Sequence, residues 1–155
     1  MSRQISDSSD DAARAAWLSL LAKADAVELE RCWQAVDDKP AFALLRQPEI
    51  GAVMVRGRIG GTGGPFNLGE MTVTRCSVRS DSGAVGHGYV AGRNPRHAEL
   101  AAMVDAAMQD EARADAVRRL VLAPLAARAE AQRDARARKA AATRVEFFTM
   151  VRGED

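Results

Sequence analysis

Apolar positions in the first third of the chain recur at helical spacing. Ala13, Trp17, Leu20, Leu21 and Ala24 share one face of a segment from Asp11 to Ala24. Ser8, Ser9 and Asp10 precede it, and their short polar side chains are good acceptors for the free N–H groups of a helix start. After Asp25, Leu29, Cys32, Trp33 and Val36 repeat the i, i+3, i+4, i+7 pattern until Asp37-Asp38-Lys39-Pro40 interrupts it. The two runs predict a helical hairpin, with Trp17 and Trp33 packing its helices together. From Gly51 the period drops to two. Val53, Val55 and Ile59 alternate with Met54, Arg56 and Arg58, the pattern of a half-buried strand with arginines on its outer face. Met71, Val73 and Arg75 alternate with Thr72, Thr74 and Cys76 in a second strand, and the turn Asp81-Ser82-Gly83 leads to a third, Val85 to Ala91. Gly86, Gly88 and Gly92 are costly there unless the backbone bends or another group comes close, which marks this strand as an edge or a ligand wall.

Asn94-Pro95 is a helix start with Asn as cap, and Ala101, Val104 and Met108 supply the stripe with which that helix covers the sheet. More helix follows through Leu120 and Leu122. Beyond Pro124, an Ala/Arg/Glu-rich run to about Thr143 has almost nothing large to bury past Leu125. Val145, Phe147, Thr149 and Val151 alternate again and predict a final strand, returning to this sheet or joining that of another protein chain. The pattern therefore predicts an α+β fold: an N-terminal helical hairpin, a central antiparallel sheet of three to four strands, C-terminal helices and a final strand returning to a sheet. One domain is expected over residues 1–155, with residues 1–10 as a flexible lead.

Composition narrows the function classes. With 22 Lys+Arg against 21 Asp+Glu the net charge is +1, so the field of a dedicated nucleic-acid binder is missing. Two cysteines, without paired spacing, argue against structural disulfides and a zinc ribbon. The polar, acidic start and the lack of a long apolar run predict a cytoplasmic protein without a membrane segment.

The least ordinary stretch is Arg56-Gly-Arg58-Ile-Gly60-Gly61-Thr62-Gly63-Gly64-Pro65-Phe66-Asn67-Leu68-Gly69-Glu70. Glycines that accept positive φ let backbone N–H groups converge on an anion, and Arg56, Arg58 and Arg75 could add bidentate contacts to phosphate or carboxylate oxygens. The alternative is a connection between two strands, whose glycines permit tight turns while Thr62 and Asn67 satisfy local backbone groups. Both readings stay open on sequence, although neither nucleotide-binding glycine pattern can be read across the segment. His87 and His97, with Glu99 or Glu70, lack any strict metal-ligand spacing, so no metal is expected. Cys76, between Arg75 and Arg79, is either an exposed thiol of lowered pKa or a buried strand residue. Asp105 and Glu99 lie on a helix beside alanines, where capping or surface pairing explains them as well as catalysis does, and no Ser-His-Asp set can be assembled with any specificity.

Three stretches carry a family resemblance. They are Leu45-Arg46-x-Pro48-Glu49-x-Gly51, then Val53 through Gly63, then Pro65-Phe66-Asn67-Leu68-Gly69-Glu70-Met71-Thr72-Val73-Thr74-Arg75-Cys76. With Val85-Gly86-His87-Gly88-Tyr89, Gly92-Arg93, His97-Ala98-Glu99-Leu100-Ala101-Ala102, Asp105-Ala106 and Thr143 through Gly153, they resemble the PhnG family of the bacterial carbon-phosphorus lyase system. The resemblance covers the chain from about Leu45 onward. It departs at Ala52, where a larger apolar residue is expected.

The resemblance implies a cytoplasmic complex with the H, I and J subunits of that system, which uses phosphonates as a phosphorus source. PhnG and the H and I subunits, with the ATPase-like L subunit, are associated there with replacing the adenine of ATP by methylphosphonate, giving ribose 1-methylphosphonate 5-triphosphate. ATP is thus a substrate of the complex. The iron-sulfur cluster and SAM belong to the J subunit, and this chain carries no such motif, so no cofactor is expected in it. The implied role is a component of a transferase that is not catalytic alone, and no catalytic residue is carried over. Candidate phosphate- or phosphonate-binding or interface residues are Arg56, Arg58, Gly60, Gly61, Thr62, Gly63, Asn67, Glu70, Arg75, His87, Arg93 and His97. Two accounts follow: an interaction protein docking through its Ala-rich helix and final strand, with self-association possible, or a direct contributor to the synthase active site; a third, a stand-alone small-molecule enzyme, has the lack of a convincing catalytic set against it.

Overall fold

Two layers form the structure, a three-stranded antiparallel sheet and a set of helices covering one of its faces. The computed structural model describes residues 3–142, with side chains from residue 10 onward. Helix α1 spans Arg3–Lys23 and α2 Ala26–Gln34. Asp25 separates them and caps α2, its carboxylate accepting from the Glu28 N–H at 3.0 Å. Helix α1 starts earlier than its cap signals predict, so Ser8, Ser9 and Asp10 lie within it. The alanines at 12, 13, 15 and 16 explain this, since extending a formed helix costs far less than nucleating one.

Strands β1 (Phe42–Arg58), β2 (Pro65–Ser80) and β3 (Val85–Ala91) lie in the order β1-β2-β3. The sequence pattern places the start of β1 at Gly51, nine residues late, and includes Ile59, which belongs to the following turn. Register irregularities on both sides of Arg46, together with Pro48 and the charged Glu49, erase the period-two signal over that first half. β2 pairs with β1 along nearly its whole length, from Phe42 opposite Ser80 to Arg58 opposite Pro65. β3 pairs only with Val73–Arg79. The distal part of β1 and β2 is therefore a two-stranded arm, roughly 27 Å long for the eight residues between Pro65 and Val73 at the usual strand rise.

Helix α3 (Pro95–Met108) is the central element of the helical layer. Asn94 caps it as predicted, accepting from the His97 N–H at 3.0 Å, with Pro95 at the first helical position. On the sheet, Thr74, Cys76, Val78 and Ser80 of β2 alternate inward with Gly86, Gly88 and Val90 of β3. The two glycines have a packing cause. A Cβ at Gly88 would lie 1.8 Å from the Ala98 carbonyl oxygen, and one at Gly86 2.0 Å from that of Ala102. β3 is an edge strand as expected, and the inner side of its glycines receives the backbone of α3. The alanine stripe of α3 continues the same close approach, and the core fills in with Leu21, Leu29, Trp33, Val104, Val117, Val121 and Leu125.

The remaining helix runs without a break in backbone handedness from α4 (Glu111–Val117) through a π-helical stretch, Arg118–Leu122, into α5 (Ala123–Ala142). Pro124 sits just past the π stretch. Its missing N–H and its ring forbid a regular bond to the preceding turn, and the widened turn absorbs both. As expected, α5 buries only Leu125. The predicted final strand, Val145 to Val151, lies outside the described residues. Trp33 is buried beside Phe42, with ring centroids 6.1 Å apart, and Lys39 Nζ is 5.7 Å from its ring centroid. Trp17 departs from the hairpin-packing expectation. Its indole N–H is drawn to α3, where it donates to Asp105 at 2.9 Å.

Candidate functional site

The glycine-rich loop closes the tip of the arm. Ile59–Gly61 forms a single 3-10 turn in which Gly60 (φ 61°) and Gly61 (φ 80°) adopt left-handed backbone. The Gly63 N–H donates to Ile59 O at 2.9 Å, and Arg58 Nη1 donates to Gly63 O at 3.3 Å. These contacts are those of a turn between paired strands, and they already occupy the Gly63 N–H that a phosphate nest would use. Arg56 stands opposite Asn67 and Met54 opposite Glu70 in the strand register. Thus Arg56, Arg58, Gly60, Gly61, Thr62, Gly63 and Asn67 gather at the distal end, with Glu70 nearby on the arm.

The other candidate residues lie elsewhere. Arg75 is opposite Glu49 and Tyr89, ten residues from Pro65 along β2, or roughly 34 Å at the usual rise. No single small ligand touches both Arg75 and the loop. Arg93 is exposed just after Gly92, whose φ of 86° turns the chain toward α3. His97 is buried at the start of α3, where its Nε2–H donates to Leu21 O at 2.8 Å, tying α3 to α1.

A second group forms on the sheet face turned away from the helices. Arg46 of β1, Arg75 and Ser77 of β2, and His87 and Tyr89 of β3 line a shallow concavity of about 420 Å³. His87 Nδ1 and Ser77 Oγ share a hydrogen bond of 3.0 Å. Glu49 Oε2 lies 3.3 Å from Arg75 Nε and 3.7 Å from Arg46 Nη1, so one carboxylate oxygen serves both guanidinium groups. The Cys76 S–H donates to Arg46 O at 3.4 Å and holds the irregular stretch of β1 against β2. Sequence reasoning finds Arg75 and His87 but misses Arg46, Ser77 and Tyr89. Period-two alternation already places residues 75, 77, 87 and 89 on one face. Arg46 is hidden by the irregular register around it.

Beneath this face is a buried ionic strut, a role that sequence pattern, which leaves capping, surface pairing and catalysis open for its carboxylate, does not foresee. Asp105 is fully buried. It accepts from Arg14 Nε at 3.2 Å and Nη2 at 2.7 Å, from Trp17 Nε1 at 2.9 Å, and from the His87 backbone N–H at 2.9 Å. Arg14 Nη2 also donates to Val85 O at 3.1 Å. One carboxylate thereby joins α1, α3 and β3, with every strong donor around it satisfied. Cys76 is buried, as the second sequence alternative has it. Burial pushes its thiol above the ordinary range, with Glu99 adding to the effect, and burial likewise raises Cys32. Among the described residues no three His, Cys, Asp or Glu side chains converge as metal ligands, and no helix is long and apolar enough to cross a membrane.

The arm bears a further feature. Val53, Val55, Phe66 and Met71 share one of its faces through the register Val53 to Met71 and Gly57 to Phe66. Leu68 is the extra residue of a bulge opposite Val55 and Arg56. Ile59 is 72% exposed and Leu68 67%, and Met54, Met71 and Phe66 are exposed as well.

The sequence comparisons agree with one another. A family-wide description, "Phosphonate metabolism protein PhnG", matches residues 12–153. A curated relative from Rhizobium meliloti (strain 1021), named alpha-D-ribose 1-methylphosphonate 5-triphosphate synthase subunit PhnG, is 51% identical over 150 residues. That alignment covers 97% of this chain and 96% of the relative. A match of this extent, across the arm, the strut and the outer sheet face alike, places the chain in the PhnG family of phosphonate metabolism proteins.

Proposed function

We propose that the chain is a component of ribose 1-methylphosphonate 5-triphosphate synthase, and that it contributes chiefly by docking onto other subunits through its β1-β2 arm. The observation that carries this reading is the arm itself. A two-stranded hairpin has marginal stability in water, yet this one projects beyond the helical layer with Ile59, Leu68, Met54 and Phe66 exposed. Covering it with another protein removes apolar surface from water and fixes an otherwise unsupported ribbon. Among the described residues the hydrogen-bonded Ser77–His87 pair has no carboxylate bonded to its imidazole ring, and this incomplete set fits a supporting role in a transferase better than independent turnover. On this reading the partners are the H, I and J subunits of the carbon-phosphorus lyase system, with the L subunit present for synthesis from ATP and methylphosphonate with release of adenine. The assembly is cytoplasmic. ATP enters as a substrate of the assembly, and iron-sulfur and SAM chemistry stays in the J subunit.

The test is co-expression of the tagged chain with those partners, mass determination, and a synthase assay with ATP, methylphosphonate and the L subunit. A stable assembly that loses turnover when this chain is omitted is expected. Replacing Ile59 and Leu68 by Asp should leave the chain folded by circular dichroism and abolish co-purification. A wild-type chain that stays alone, with turnover unchanged by its omission, overturns the proposal.

The second reading, a direct contribution at the loop, has one observation in its favour. Among the described residues Arg58 is held by a single long hydrogen bond to Gly63 O and has donors to spare. Arg58→Ala with assembly intact and turnover lost would establish it. Wild-type turnover in the intact assembly would remove Arg58 from that role.

A further inference from the structure

The outer face of the sheet is built like a receptor for an oxyanion. Arg46 and Arg75 come from neighbouring strands, and the five N–H donors of each guanidinium are barely used. Among the described residues Arg75 gives only its Nε to Glu49, and Arg46 makes only a 3.7 Å ion pair to the same carboxylate oxygen. Glu49 is half exposed and free to swing into solvent. It acts as a stand-in counter-ion, holding the two arginines close without filling their fork geometry.

The neighbouring polar groups are fixed from below. Register irregularities flank Arg46 and aim it across β2, and the buried Cys76 thiol anchors its carbonyl. His87 is bonded to Ser77 at its Nδ1, which leaves Nε2 facing outward, and its backbone N–H is gripped by the buried Asp105. Tyr89, beside Arg75 in the register, adds a phenol to the rim. The concavity of about 420 Å³ has room for a phosphate group and the waters around it. A carboxylate ligand would use one fork. Two convergent arginines with a histidine and a phenol suit a tetrahedral group with three oxygens.

We propose that Arg46, Arg75, His87 and Tyr89 form a binding site for a phosphate or phosphonate group, with Glu49 displaced when the ligand enters. The site is separate from the glycine-rich loop. Its existence stands on this geometry, whereas the choice of methylphosphonate and ATP as probes rests on the synthase reading.

The experiment is an NMR titration of the full chain at low ionic strength, following the Ser77, His87 and Gly88 amides and the His87 ring, with inorganic phosphate, methylphosphonate and ATP in separate series. Low salt is needed because exposed charges are screened beyond about 10 Å at 0.1 M. At least one probe is expected to give saturable shifts confined to this face. Arg75→Gln and Arg46→Gln should each weaken binding tenfold or more, and Arg136→Gln on α5 should leave it unchanged. Glu49→Gln should strengthen it severalfold by removing the internal competitor, an effect that a purely structural ion pair would not give. Saturation by methylphosphonate alone identifies a phosphonate source, by ATP alone a triphosphate, and by phosphate as well a site for the shared group.

Linear shifts with every probe, or equal affinity in wild type and Arg75→Gln, overturn the proposal. If the chain alone is too poorly soluble for NMR, the same probes are titrated by calorimetry into the co-purified assembly and its Arg75→Gln and Glu49→Gln variants, with the same criteria. Loss of synthase turnover or of assembly plays no part in these readouts, so the site and the synthase reading fail separately.

Discussion

Asp105→Ala is the most informative perturbation of this fold. The carboxylate is fully buried and accepts from three different groups, so its removal strands several donors at once. The Trp17 indole N–H and the His87 backbone N–H each lose their acceptor, at about 1–3 kcal/mol apiece for a buried unsatisfied group. The Arg14 side chain is 31% exposed, so water recovers part of its hydrogen bonding, and its share is smaller than that of a fully buried partner. Together the loss comes to roughly 3–5 kcal/mol, a large fraction of the stability of an ordinary domain. Urea unfolding followed by the fluorescence of Trp17 and Trp33 measures it. With a slope of about 2 kcal/mol/M, the midpoint should fall by roughly 2 M. Trp17 bonds Oδ1 and the His87 N–H bonds Oδ2, so Asp105→Asn keeps an acceptor for one of them and turns its N–H2 group toward the other and an Arg14 nitrogen; it should cost less than the alanine variant, at roughly 2 kcal/mol. A loss below about 1 kcal/mol for Asp105→Ala, or equal losses for the two variants, would refute the strut.

Three further outcomes follow from the packing and the thiols. Gly88→Ala forces a methyl group against the Ala98 carbonyl oxygen and should lower stability by about 3 kcal/mol or more, whereas Gly64→Ala, with open space around it, should be nearly neutral by the same urea assay. Gly61→Ala must hold a φ of 80° and should cost about 1–2 kcal/mol without affecting the strut, which leaves the His87 amide protected in hydrogen exchange. Burial raises the folded pKa of Cys32 and Cys76, so the stability they contribute is complete below the unfolded thiol value near ~8.5 and is lost as pH rises toward their folded values. The urea midpoint should therefore fall as pH rises from about 8.5 to about 10, with a shallower fall in Cys32→Ala/Cys76→Ala even though that variant starts from lower stability.

Much of the fold is legible in the sequence because its periods are clean. Leu29-x-x-Cys32-Trp33 reads as a helix and Val85 to Ala91 as a strand, and Asn94-Pro95 marks the start of α3 to the residue. What escapes a sequence reading does so for physical reasons. The first half of β1 pairs irregularly, so no alternation betrays it, and Arg46 is lost with it. The strut role of Asp105 is hidden because its three donors lie 91, 88 and 18 positions away. Burial of a charge is a property of the assembled fold, invisible to local pattern. The glycine-rich loop draws attention through composition, but two of its glycines serve a positive-φ turn and a third lies too close to Ile59 O for any side chain.

The buried carboxylate and the outer polar face belong to one arrangement. Period two in β3 sends Gly86, Gly88 and Val90 inward and His87 and Tyr89 outward. The inward glycines let α3 approach closely enough for Asp105 to reach the His87 N–H, and the outward histidine then bonds Ser77 and lines the same concavity as Arg46 and Arg75. A residue small enough on one face is thus the condition for a fixed polar group on the other. Asp105→Asn consequently tests more than stability. If the outer face is held by the strut, the His87 and Ser77 resonances should broaden or shift in that variant while those of the arm, from Gly51 outward, stay where they are.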